Sequence, residues 1–172
     1  MTPQKQTQSA QHSFEHAGHS IAYRIYSHPG VTTSRRLVLI HGAGVAGRYT
    51  WEALQRFLSG WSEILVPDLR GAGDTQSLDS HEHPFLVEEL VADLQALLSH
   101  LGWTRFDLGG YSLGGLVSLL LKQNLRDQVE KQYLLESAAL DRLDWQETVS
   151  VRQQFAAAAQ VLHQQDAETG IK

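Results

Sequence analysis

The chain has 172 residues, enough for one domain with a sizeable core, and 42% of them are apolar, which excludes a disordered chain by composition. A net charge of −5 with no long basic block argues against nucleic acid as the main partner. The absence of cysteine excludes a disulfide framework, a thiol nucleophile and a cysteine zinc site, and fits a cytoplasmic protein.

Met1 to Gln11 is polar, lacks the apolar core of a signal peptide and reads as a disordered tail. No stretch of the chain reaches transmembrane length. His12 to His16 and Ser20 to Tyr26 are strand candidates, and Ala17-Gly18 between them reads as a hairpin turn. Leu37 to Ile40 is a continuous apolar run, the pattern of a strand buried on both faces, and it ends in His41-Gly42-Ala43-Gly44. A helix is expected from about Thr50 to Ser59, with Trp51, Leu54, Phe57 and Leu58 on its apolar face and Gly60 as its stop. Ile64 to Val66 is the next strand and runs into Asp68-Leu69-Arg70-Gly71-Ala72-Gly73-Asp74-Thr75.

Beyond a polar loop, Pro84 suits the first turn of a helix. Val87, Leu90, Val91, Leu94, Leu97, Leu98 and Leu101 give the clearest 3.6-residue period in the chain, and Gly102 ends it. His81-Glu82-His83 has metal-like composition but no further ligands nearby, so it reads as solvated surface, and neither a metal nor a cofactor is expected. Phe106 to Leu108 is an apolar strand, Leu113 to Leu121 is helical, and Tyr133 to Leu135 is a last buried strand ending at Glu136. Trp145 to Gln165 looks helical. Strands alternating with helices predict an α/β fold, with a mostly parallel sheet, helices on both faces and an antiparallel edge from the leading hairpin.

Two glycine motifs carry chemistry. Gly110-x-Ser112-x-Gly114 stands between a strand and a helix, as a nucleophile elbow requires. Its turn would push the Ser112 hydroxyl out at the end of the sheet, with a helix N-terminus behind it that favours negative charge. Gly42-x-Gly44-x-x-Gly47 is a literal G-x-G-x-x-G, with Asp68 near the spacing of a ribose-binding acid, so a dinucleotide-binding oxidoreductase is a competing reading. Against it, the motif follows a hairpin, and the loop from Arg70 to Thr75 stays unexplained. Asp68 and Arg70 themselves read as an ion pair or a loop brace.

The motifs His41 to Gly44, Asp68 to Thr75 and Gly110 to Gly115, in that order and spacing, resemble the α/β-hydrolase superfamily, in particular its esterase, lipase and C–C hydrolase branch. The resemblance implies an α/β-hydrolase core over residues 12–140, lacking the last strands, and the start of a helical cap over 141–172. It implies Ser112 as nucleophile, with the backbone N–H groups of Ala43 and Leu113 as the oxyanion hole. It also implies a small-molecule acyl substrate, cleaved at an ester or related bond through an acyl-enzyme. Serine at the elbow argues against haloalkane dehalogenases and epoxide hydrolases, which carry Asp there.

The order of such a triad is Ser, then acid, then His. Glu136 is a possible acid. His163, the one histidine after Ser112, falls in a predicted helix and reads as a cap residue rather than the base. The expectation is therefore a C-terminally truncated hydrolase, inactive as an isolated chain and prone to self-association through an unpaired sheet edge at Tyr133 to Leu135. The alternative from another class is a non-catalytic, hydrolase-like binding protein.

Overall fold

The computed structural model describes residues 8–28, 30–55, 57–79 and 85–138. The start of the predicted tail, His81 to Pro84, the core–cap boundary at 140, the helix from Trp145 and His163 lie outside them.

Strands β1 (Gln8–His16) and β2 (His19–Ser27) form the expected hairpin. Ala17 and Gly18 both take positive φ, 43° and 75°, which matches the twist of a two-residue hairpin turn. β1 starts earlier than the predicted His12, so Gln8 to Gln11 belong to the sheet rather than to a tail. The reason is pairing: Gln11 opposes Arg24 and its side-chain amide donates to Asp74 at 3.0 Å.

Next come β3 (Arg36–Ile40), α1 (Gly47–Gln55), β4 (Glu63–Pro67) and the short β5 (Gln76–Ser77). They are followed by α2 (Val87–His100), β6 (Phe106–Tyr111), α3 (Leu113–Leu125) and β7 (Val129–Leu135). The sheet order is β1-β2-β4-β3-β6-β7, with β5 beside β2. β4, β3, β6 and β7 run parallel, and β2 joins β4 antiparallel. The polar dipeptide of β5 carries no apolar signal, so the sequence did not announce it.

The apolar run of β3 is buried on both faces. Val38 and Ile40 join the core beneath α2 and α3, with Leu65, Leu108 and Val117. Leu37 and Leu39 join the opposite core with Trp51, Ile64 and Val66. Helix α1 is displaced from its predicted span at both ends. It begins at Gly47 because Asp68 Oδ1 accepts the Gly47 N–H at 2.7 Å, a carboxylate placed at the helix N-terminus. It ends at Gln55 because His28 Nε2–H and the Leu58 N–H both donate to the Gln55 carbonyl, turning the chain out. Leu54 and Phe57, expected on the apolar face, are exposed, whereas Trp51 is buried and Leu58 packs against the core.

The burial contrast within the sheet is measurable. Leu108 is 0% exposed in the central β6 and Leu134 is 46% exposed in β7. Leu108→Ala is expected to cost about 2–5 kcal/mol of unfolding free energy. Leu134→Ala should cost under about 1 kcal/mol, with urea denaturation as the measurement.

Candidate active site

Ser112 stands between the last residue of β6 and the first of α3, with φ 51° and ψ −117°. This left-handed φ is costly for a residue with a Cβ and persists only where the surroundings enforce it. They do so by contact. A Cβ on Gly110 would lie 2.2 Å from the Gly114 carbonyl oxygen, and one on Gly114 would lie 2.3 Å from the Ile40 carbonyl oxygen. Only glycine lets β6, α3 and the end of β3 approach this closely. Backbone hydrogen bonds tie the turn to β7 and to the segment after it: the Ser112 N–H donates to the Leu135 carbonyl, and the Ala138 N–H donates to the Ser112 carbonyl, both at 3.0 Å. Ser112 is half-buried, and among the described residues its hydroxyl makes no hydrogen bond.

The loop after β3 reaches the same place. A Cβ on Gly42 would lie 3.3 Å from Ser112 Cβ and 3.1 Å from the Tyr111 ring. A cavity of about 50 Å³ opens beside the elbow, lined by residues 41–44, 69–72, Phe85 and Leu113. Ala43 and Leu113 thus border one cavity, and among the described residues neither backbone N–H has a hydrogen-bond partner. Leu113 opens α3, where backbone N–H groups have no intrahelical acceptor.

His41 is 1% exposed and fully occupied. Its Nδ1–H donates to the Gly42 carbonyl at 2.6 Å, and its Nε2 accepts the Leu69 N–H at 2.9 Å. That pattern fixes the neutral tautomer. Burial pushes the imidazole pKa below its ordinary 6.5, outweighing the opposing effects of Gly42 and Asp68. His41 therefore joins the two loops that wall the cavity.

Asp68 is a loop brace. Its carboxylate accepts the Gly47 and Asp74 N–H groups, and its carbonyl accepts the Thr75 hydroxyl, which in turn accepts the Ala22 N–H. Asp68 and Arg70 do not pair with each other. Arg70 turns away to Asp93, with contacts of 2.5 and 2.9 Å, and to Glu89 at 2.6 Å. His16 Nδ1–H donates to the same Asp93 at 2.8 Å. The hydrogen bond to Asp93 is the main cause holding the Arg70 pKa above its usual value against burial. Sequence reasoning missed Asp93 and Phe85. The signal for Asp93 was present: it interrupts the apolar stripe of α2 between Leu90 and Leu97 and is 3% exposed. Glu136 is exposed one residue beyond β7 with φ 45°, and makes no side-chain hydrogen bond or ion pair among the described residues.

A family model described as the alpha/beta hydrolase fold matches residues 35–166. The chain belongs to the α/β-hydrolase family. The glycine motif at Gly42 is accordingly the β3–α1 loop of a hydrolase, with Asp68 committed to that loop, and the dinucleotide reading falls away.

Among similar proteins, a soluble epoxide hydrolase from Corynebacterium sp. (strain C12) is 31% identical over 100 residues, covering 58% of this chain and 34% of that one. A 2-hydroxy-6-oxo-2,4-heptadienoate hydrolase from Pseudomonas putida is 34% identical over 101 residues, covering 58% and 36%. The ligand-free structure of the epoxide hydrolase CorEH aligns with TM-score 0.67 and 25% identity, covering 80% of this chain and 46% of that one. The chain matches about a third of the length of these curated relatives. No helix among the described residues is long and apolar enough to cross a membrane.

The buried neutral His41 sets a pH dependence. Because its folded pKa lies below 6.5, its contribution to stability is full above that value and is lost as pH falls through the folded value. Urea midpoints measured from about pH 8 down to about pH 5 should fall more steeply for the wild type than for His41→Gln, which cannot titrate there.

Proposed function

We propose that this chain carries the nucleophilic centre of a serine hydrolase that cleaves an ester or related acyl bond of a small molecule. The observation that supports it is the strained Ser112 next to a cavity lined in part by Ala43 and Leu113, whose backbone N–H groups have no hydrogen-bond partner among the described residues. In this reading the Ser112 oxygen attacks the acyl carbonyl, and the two N–H groups take the charge that develops on its oxygen. The leaving group departs with a proton, and water then releases the acid. Glu136 is the candidate triad acid, and the base comes from outside the described residues, since His41 spends both ring nitrogens on the backbone.

Relatives include epoxide hydrolases, so the elbow residue discriminates. A carboxylate that opens an epoxide leaves an ester, which water can cleave. A serine oxygen would leave an ether with no carbonyl to attack, a dead end. Serine at position 112 therefore favours acyl transfer.

The test is intact-mass analysis after incubation with p-nitrophenyl acetate. One acetyl group per chain is expected, located on Ser112 and absent from Ser112→Ala. An adduct elsewhere, or none, refutes the reading. An unreactive Ser112 with a cavity that still binds ligands would favour the non-catalytic alternative. That alternative has its own support in a Ser112 hydroxyl without a hydrogen-bond partner among the described residues.

The same reading extends to association. β7 pairs with β6 on one side only among the described residues, and Tyr133, Leu134 and Leu135 are exposed. Such an edge invites pairing with a second copy. Light scattering should give a mass above that of one chain, and Leu134→Lys should lower it; a monomeric wild type would end this part of the proposal.

A further inference from the structure

The peptide group between Gly42 and Ala43 carries a carbonyl that His41 holds and an N–H that has no partner among the described residues. A trans peptide is planar, so these two groups point in opposite directions, and no cis bond occurs among the described residues. His41 Nδ1–H donates to the Gly42 carbonyl at 2.6 Å, which fixes the tilt of the Ala43 N–H. Tilt alone does not set how far that N–H stands from Ser112. Ala43, Gly44 and Val45 are exposed, and a Cβ on Gly44 would meet nothing within 4 Å, so the loop is open on its outer side.

On its inner side the loop meets an aromatic ring. Gly42 is buried, and a Cβ there would lie 3.1 Å from Tyr111 Cδ1, 3.2 Å from Tyr111 Cε1 and 3.3 Å from Ser112 Cβ. These distances are tighter than ordinary van der Waals contact, so the bare glycine backbone rests directly on the ring. The ring in turn has a fixed base, because Tyr111 is the last residue of β6 and pairs with Leu135 of β7. Tyr111 belongs to neither apolar core and is 40% exposed. Among the described residues its hydroxyl makes no hydrogen bond. What the side chain does touch is the loop beside Ser112.

We propose that Tyr111 is a positioning residue: its ring is the stop against which the Gly42 backbone rests, and it sets the distance between the Ala43 N–H and Ser112. The assignment rests on the hydrolase reading, in which that N–H takes the charge developing on the attacked carbonyl. The flat ring makes the contact, so the phenol oxygen is dispensable.

The test follows acetylation of Ser112 by p-nitrophenyl acetate, together with the NMR order parameter of the Ala43 backbone N–H, in the full chain. Tyr111→Phe keeps the ring and should acetylate within about twofold of the wild-type rate. Tyr111→Ala should lower the rate at saturating ester about 10- to 100-fold and leave the half-saturating concentration unchanged, the signature of a donor displaced from the reacting oxygen. Its Ala43 order parameter should fall from the rigid range near about 0.85 to below about 0.6, while Tyr111→Phe keeps the rigid value. Gly42→Ala should also slow acetylation, because the new methyl meets the ring. In the double variant the methyl takes the space the ring leaves, so the combined loss should be smaller than the product of the two single losses. Should Gly42→Ala fail to fold, the comparison of Tyr111→Phe with Tyr111→Ala decides by itself. Losses that simply multiply, a Tyr111→Phe chain as slow as Tyr111→Ala, or a Tyr111→Ala chain unchanged in rate and order parameter overturns the proposal. A wild type that takes no acetyl group on Ser112 sinks the hydrolase reading instead, and the order parameters then decide whether Tyr111 holds the loop.

Discussion

The structure depends on a contact that only glycine permits. At the end of β6 the chain must reverse into α3 within one residue, while the start of α3 rests on the last peptide of β3. Gly110 and Gly114 meet across that turn at distances no side chain survives. The geometry follows from them: β3 and β6 stay adjacent, α3 lies back on the sheet, and Ser112 is left at the apex with a positive φ. Strain at one residue is stable here because the parallel pairing on both sides over-determines it.

Two polar anchors position the loops around that apex. Asp68 gathers the start of α1, the Asp74 turn and, through Thr75, strand β2. Asp93 gathers Arg70 and His16, linking the loop after β4 to α2 and to the hairpin. The buried Arg70–Asp93 pair matters less for net stability than for placement, because desolvation offsets much of its attraction. Its consequence for the site is that the arginine charge points away from the cavity, leaving an apolar floor.

Much of this was legible in the residues. The run Leu37 to Ile40 announced a strand buried on both faces, and the glycine pair around Ser112 announced the elbow. The stripe from Val87 to Leu101 announced α2. What escaped was set by contacts distant in sequence. The limits of α1 are imposed by Asp68 and His28, 21 and 27 residues from the groups they bind, so local periodicity overran one end and missed the other. β5 exists only because Gln76 and Ser77 find a partner in β2. Asp93 stands out as the one buried carboxylate of α2, but its partner Arg70 lies 23 residues away, whereas Asp68 is nearer in sequence. Phe85 sits outside every motif, and nothing local marks it as a cavity wall.

Glycine at the elbow is a steric requirement of the whole fold. The most direct measurement compares the unfolding free energy of Gly114→Ala with that of Gly60→Ala, where an added Cβ would meet nothing within 4 Å. A loss of at least about 1–3 kcal/mol is expected at Gly114, the cost of overpacking against rigid backbone. At Gly60 the expected change is within about 0.5 kcal/mol. Equal, small effects at the two positions would contradict it.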